Sequence, residues 1–310
     1  MRVKILGSAA GGGFPQWNCA CRNCRLLRQG QLRSRARTQT QIAFSPDDKA
    51  WFLINASPDL RTQILATPEL SPPDESSRSP IAGVFLPSLD VDAVMGLLHL
   101  REFQAFFVFS TAAIQRVLKK ENKIFAVLER ADPPVQWQIL SSKGRLGCHL
   151  SESPGEAPSF VCVTIPLGGS YPDYVSEEVR RTLAEDEATI GIVLEQAGKS
   201  AFVAPSLSGR NPEWTKHAAS SDLVLIDGTF WTDDELKSTG RSKKTAREMG
   251  HLPLSGPGGL LEQFPRNARG RRILIHINNT NPILDEESAE HRAVLDAGFE
   301  IAYDGMEFQL

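Results

Sequence analysis

The sequence has little net charge of either sign: over 310 residues, 34 Lys and Arg stand against 37 Asp and Glu, leaving −3. That balance excludes a general electrostatic attraction to nucleic acid or to an anionic membrane. No apolar run approaches the ~20 residues that span a bilayer, so no membrane insertion is expected. The opening Met1-Arg-Val-Lys-Ile-Leu-Gly7 lacks the pattern of a secretory signal and reads as a strand running into a turn, which points to the cytoplasm. Low-complexity tracts and short repeats are missing as well. Cysteine is scarce, five in all, and an odd number fits a disulfide framework poorly. None is needed, because a chain of this length buries roughly three quarters of its unfolded surface.

What is present is a grammar of short strands. Residues 2–6, 41–44 and 51–55 read as strands, the last two joined by the turn Ser45-Pro46-Asp47-Asp48. Residues 68–80 form a polar, proline-rich loop. After a strand at 81–86, Val91, Val94, Met95, Leu97, Leu98 and Phe103 recur at helical spacing. A strand at 105–109 then leads into a helix over 111–119 with Ser110 as its N-cap. The second half repeats the pattern at 160–165, 189–194, 201–204, 223–227 and 272–276, with a helix over 286–297 stopped by Gly298. The tail, 299–303 and 306–309 around Asp304-Gly305, reads as a terminal hairpin. Hairpins mixed with strand-helix alternation in both halves predict an α/β fold: an αββα four-layer sandwich, two mixed sheets flanked by helices, in a single domain over 1–310.

The most specific chemical signal is Cys19-Ala-Cys21-Arg-Asn-Cys24, at the end of a cysteine-rich loop over residues 17–24. Three thiolates at this spacing can converge on one tetrahedral Zn²⁺, with a distant residue or a water as fourth ligand. Cys148 and Cys162 are expected to be buried small hydrophobes. Just upstream, Gly7-Ser-Ala-Ala-Gly11-Gly12-Gly13 invites a dinucleotide-binding reading. Pro15 and the cysteines follow it where a helix should, so these glycines are expected to let backbone pass close to a site.

Polar residues at strand ends supply the other candidates. Ser88, Asp90 and Asp92 lie where a strand gives way to a helix. Two carboxylates there can bind a hard cation, or Asp90 can cap the helix while Asp92 favours its first turn. Asp227 and His276 each end a strand, and His251 sits in a loop where it has no packing reason to be. His99, His217 and His291 read as structural.

These residues carry a resemblance. The stretches Gly11–Cys24, Ile54–Arg61, Gly96–Glu102, Asp227–Leu236, Met249–Gly256, His276–Asp285 and Tyr303–Glu307 resemble, in order, the pyrroloquinoline quinone (PQQ) biosynthesis protein B family of the metallo-β-lactamase superfamily. The resemblance implies the αββα fold, a structural zinc on Cys19, Cys21 and Cys24, and a role in coenzyme PQQ biosynthesis. The superfamily's dinuclear hydrolases carry His-x-His-x-Asp-His after the strand at 81–86. Here those places hold Ser88, Asp90, Asp92 and Ala93, and the later ligand positions fall near Gly169 and Pro205, so two-metal hydrolysis is not expected. The PQQ family itself has histidine where Ala93 stands. At the place where related phosphodiesterases close the zinc site with histidine, this chain has Asn279.

What remains suits one ion: Asp92, His276 and His251 as ligands of a candidate iron, and Asp90 as a further ligand or base. Ser88, Asp227 and Asn279 are expected to orient substrate or ligands. The expected activity is metal-dependent hydroxylation or oxygenation of a Glu–Tyr-derived, peptide-type PQQ precursor. The alternative is a non-catalytic carrier of PQQ or its precursor, assisting transport to the periplasm. A homodimer is allowed.

Overall fold

The computed structural model describes all residues except 76, 103, 131, 133, 151–157 and 210. Its strands are β1 (Arg2–Gly7), β2 (Gln41–Ser45), β3 (Trp51–Ile54), β4 (Ile81–Leu86), β5 (Phe107–Thr111), β6 (Gln136–Leu140) and β7 (Gly144–Cys148). They continue with β8 (Phe160–Pro166), β9 (Ile190–Gln196), β10 (Lys199–Ala204), β11 (Leu223–Asp227), β12 (Arg271–Ile275), β13 (Glu300–Ile301) and β14 (Glu307–Gln309). Two seven-stranded sheets result, ordered β14-β1-β2-β3-β4-β5-β6 and β13-β12-β11-β10-β9-β8-β7. Both are mixed. β3 through β6 run parallel in the first, and β10 through β13 in the second, with antiparallel pairs beyond.

Strand alternation creates the layers. Ile42, Phe44, Leu223 and Leu225 face inward to a core shared by both sheets. Ala43 and Leu53, pointing the other way, pack under helical residues such as Leu60 and Ile114. On the second sheet Val224 and Ile226 do the same beneath Trp214 and Val294. Three buried cores between four layers make an αββα sandwich. The shared core is aromatic: Phe85 and Phe109 stack at 4.3 Å, and Phe160 from the opposite sheet meets Phe44 edge-on at 5.2 Å.

Several local expectations are corrected. The helix after β5 spans Ala112–Arg116 and is capped by Thr111, whose hydroxyl accepts the Ile114 N–H. Ser110 belongs to β5 instead. The helical spacing after Asp90 resolves into an α-turn (Val91–Val94) followed by a 3-10 segment (Met95–Leu100), with Phe103 outside the described residues. The last helix begins at Ala289, capped by Ser288. The tail is not a hairpin. β13 adds to β12 in parallel and β14 adds to β1 antiparallel, so Asp304-Gly305 carries the chain from one sheet to the other. An Asp-Gly turn specifies a reversal; which edge each arm joins depends on open strands that local sequence does not show.

Candidate functional site

Three strand ends meet at one rim. Leu86 closes β4, Asp227 closes β11 and Ile275 closes β12, all at carboxyl ends of parallel strands, where α/β sheets gather their ligands. The sheets are tied together there: Ile190 N–H donates to the Pro87 carbonyl at 2.9 Å, and Ser88 bridges Thr189. Gly12 and Gly13, at φ +89° and +71°, turn the glycine-rich loop so that Gly11 lies against the Asp92 carboxylate. The loop thus passes close to a site, as expected.

His276 follows β12 at φ +57°, a left-handed conformation that takes the chain out of the sheet. Its Nε2 lies 2.9 Å from Asp92 Oδ2, across 184 residues of sequence. Its Nδ1 lies 2.8 Å from the Thr229 hydroxyl. That hydroxyl sits 2.5 Å from Asp227 Oδ1 and gives its proton to this charged acceptor, so it accepts from His276 Nδ1–H. The other oxygen, Asp227 Oδ2, takes the Leu207 N–H at 2.9 Å and faces His251 Nδ1 at 2.7 Å. The two imidazoles stack with centroids 5.3 Å apart. Both rings therefore have Nδ1 engaged; the Nε2 of His276 is turned to Asp92 Oδ2, and a cation bound between them would take the place of the proton they share.

Asp227, His251 and His276 can each bring one ligand atom within 4.8 Å of the others. Both Asp227 oxygens nevertheless accept hydrogen bonds already, Oδ1 from the Thr229 N–H and hydroxyl. Asp227 is fully buried, and it orients the two imidazoles rather than offering a free lone pair.

Charge is arranged around these contacts. Burial disfavours the ionised Asp92, but the hydrogen bond and charge of His276 outweigh it and hold the carboxyl below its usual range. Burial likewise works against a charged His276, and Asp92 reverses that, raising the imidazole. Asp227 is held low against burial by His251 and His276. Asp90 moves the other way: burial, then the neighbouring Asp92 charge, raise it. Asp90 stands at the helix N-cap position but makes no capping bond, and its Oδ2 accepts the Ser88 hydroxyl at 2.8 Å.

The structure thus brings together Asp92, His276, His251 and Asp90, with Asp227 beneath them and Ser88 holding Asp90. Asn279 lies elsewhere. Its Nδ2 reaches the sulfurs of Cys19, Cys24 and Cys21 at 3.1, 3.3 and 3.6 Å. Two residues were missed. Thr229 could have been read from its place two residues past a strand-end aspartate. Tyr174, whose hydroxyl donates to the Leu89 carbonyl at 2.6 Å beside Asp90, lies in a loop with no local signal.

The three cysteines form a second cluster, their sulfurs within 4.8 Å of one another. Cys21 caps the helix Arg22–Arg28, its sulfur accepting the Cys24 N–H. The buried Asn23 of that helix donates to the carbonyls of Asn279 and Asn281 at 3.2 and 2.9 Å, fastening the cysteine loop to the segment after His276. Soft sulfur donors in this number and spacing fit Zn²⁺, with the Asn279 amide standing where a fourth ligand would. Cys148 and Cys162 are buried, and burial raises both thiols.

Residues 50–277 match the Beta-lactamase superfamily domain. The "Coenzyme PQQ synthesis protein B" of Azoarcus sp. (strain BH72) is 41% identical, covering 100% of both chains. The crystal structure of Zn(2+)-bound PqqB from Methylobacterium extorquens superposes with a TM-score of 0.90 at 37% identity, again over 100% of both chains. A diphosphatase from the PhnP family, at 16% identity and a TM-score of 0.66 over 100% of this chain and 97% of its own, shares the fold. The two-sheet sandwich and full-length identity near 40% place the chain in the coenzyme PQQ synthesis protein B family, within the β-lactamase superfamily.

Proposed function

We propose that the chain acts in coenzyme PQQ synthesis, the role its relatives' name carries, as a one-metal hydroxylase or oxygenase working on the Glu–Tyr-derived precursor. Iron would be held by Asp92, His276 and His251. The observation that supports this most directly is the 2.9 Å approach of His276 Nε2 to Asp92 Oδ2, beside a second imidazole whose Nδ1 is likewise engaged. One carboxylate and two imidazoles are a donor set that suits Fe(II) with open positions. Bound there, iron supplies dioxygen activation. The chain's own part is positioning: Asp227 and Thr229 hold the imidazole tautomers, and Asp90, held by the Ser88 hydroxyl, would serve as a further ligand or base. The cysteine cluster would bind zinc, the ion that the crystal structure of a PqqB relative holds. Two-metal hydrolysis gains no support, because Ala93, Gly169 and Pro205 offer no side-chain ligand.

The test is an Fe(II) titration of apoprotein, comparing wild type with His276→Ala. Wild type should take up one His276-dependent ion, and equal uptake by both would remove the centre.

One observation favours a carrier instead. The Ala93 methyl is buried in the outer core while its carbonyl takes the Ala56 N–H at 2.7 Å, so this residue gives the cleft nothing. If Ala93→His both raises metal affinity and creates ring oxidation that wild type lacks, the natural protein binds rather than converts. Turnover by wild type with iron and oxygen removes that reading.

A further inference from the structure

The three glycines of the loop beside the cleft are there for different reasons. Gly12 and Gly13 lie at φ +89° and +71°, in the left-handed region that favours glycine, and Gly11 does not. Nor does packing ask for a glycine at 11. A Cβ at Gly7 would lie 2.0 Å from the Gln39 carbonyl oxygen, and one at Gly96 would lie 2.1 Å from that of Ser57, so those positions have no room. At Gly11 the nearest atoms would be Asp92 Cγ and Oδ2, both at 3.7 Å, and Asp92 Cβ at 3.9 Å, an ordinary van der Waals approach. Backbone and packing would both accept alanine there.

What a side chain at 11 would change is the cleft. Asp92 Oδ2 is the oxygen that faces His276 Nε2. The Asp92 and His276 side chains keep only 14% and 12% of their surface exposed, whereas Gly11 is exposed. A larger residue at 11 would therefore project from the surface against the carboxylate and cover it. The loop is also held in place on both sides of Gly11. Ala10 N–H donates to the Ile277 carbonyl at 3.0 Å, and Gly13 N–H to the Ala10 carbonyl at 3.1 Å. Gly12 N–H donates to Gln39 Oε1 at 3.1 Å, and Gln39 Nε2 is anchored in turn on Asp59 Oδ2 at 3.0 Å. Phe14 and Arg37 exchange backbone bonds at 2.8 and 2.7 Å just beyond. A loop tied in this way does not swing aside for a bulkier residue.

We propose that Gly11 is a specificity-determining position: its missing side chain keeps open the face of the Asp92–His276 pair and admits a ligand whose donor atoms sit on a body broader than water or a diatomic. That this ligand joins a bound ion rests on the one-metal reading of the cleft; the width of the opening belongs to the protein alone. A larger residue at 11 leaves room for small donors and shuts out broad ones.

Unfolding, labelling and ligand binding test this together. Gly11→Ala should unfold in urea at the wild-type midpoint or above it, since an L residue fits this backbone and loses less entropy on folding. In metal-free protein, diethyl pyrocarbonate should modify His276 about tenfold more slowly in Gly11→Leu than in wild type, with Gly11→Ala between them. The exposed His99 serves as the internal reference in the peptide masses. With zinc on the cysteines and Co(II) added to the cleft, visible absorption should show azide binding wild type and Gly11→Leu alike. Acetohydroxamate and benzohydroxamate carry one chelating head on a narrow and a broad body. Gly11→Leu should weaken the second by about tenfold and the first far less. A lower urea midpoint in Gly11→Ala would make Gly11 a requirement of the turn and overturn the proposal. Equal His276 labelling in all three proteins would do the same, as would unchanged benzohydroxamate affinity in Gly11→Leu, or azide and both hydroxamates weakened alike. Should wild type take up no His276-dependent ion, the iron assignment fails, while unfolding and labelling still decide the role of Gly11.

Discussion

Thr229 has a single hydroxyl and its contacts reach both imidazoles of the cleft, His276 Nδ1 at 2.8 Å and His251 Nδ1 at 3.2 Å. Thr229→Val keeps the shape and removes the acceptor that holds the His276 tautomer. Metal affinity of the cleft should then fall by roughly 10–100-fold, the usual cost of losing an outer-shell partner, measured by competition with a chelating dye. Asn279 plays a comparable part at the cysteines, where its amide N–H groups face three sulfurs. Asn279→Ala should let a chelator strip the thiolate-bound ion about tenfold faster, followed by the release of three titratable thiols. Cleft metal affinity should change less, because the side chain removed points away from His276.

At the scale of one element, the junction between β5 and its following helix separates two neighbouring hydroxyls. Thr111 caps the helix and also donates to the Glu187 carbonyl at 2.9 Å, whereas the buried Ser110 Oγ has no hydrogen-bond partner. Thr111→Ala should cost about 1 kcal/mol in urea unfolding, while Ser110→Ala should be neutral or stabilising. The sequence put the cap one residue early because both hydroxyls suit an N-cap. The hydrogen-bonded end of the strand decides which of them is free to fold back. The helix expected over 286–297 shows the same limit: Ser288 caps it, so it starts at Ala289, after a separate 3-10 turn at Pro282–Leu284.

For the whole molecule, Glu235 links the parts. Its carboxylate accepts the Trp231 N–H at 2.6 Å and the Thr280 hydroxyl, tying the segment after β11 to the segment after β12. Burial, only partly offset by those donors, raises its pKa to about 7. The native state thus holds a proton that the unfolded chain has lost above its ordinary range near 4.5. Stability contributed by this group is full below pH 4.5, declines as the pH rises towards 7, and is flat above. The decline should be on the order of 3 kcal/mol. Glu235→Gln should flatten the urea midpoint between pH 5 and 8, and an unchanged slope in the variant would assign the drift to other groups. Among the described residues, no helix is long and apolar enough to cross a membrane.

The sequence by itself determined the strand-by-strand pattern, the two-sheet sandwich and the cysteine cluster. Alternation of apolar residues and close spacing of thiols are local properties that survive without a fold. It also marked Asp227 and His276, polar residues that end apolar strands, and Asp92 at a strand-to-helix junction where a carboxylate can either face a site or favour the helix start. Only the tertiary structure decided how they divide the work. Asp227 turned out to hold imidazoles, Asn279 left the cleft for the sulfurs, and the terminal arms went to different sheets. Each of those outcomes depends on a partner far away in sequence, and distance along the chain carries no information about which strand ends will share a rim.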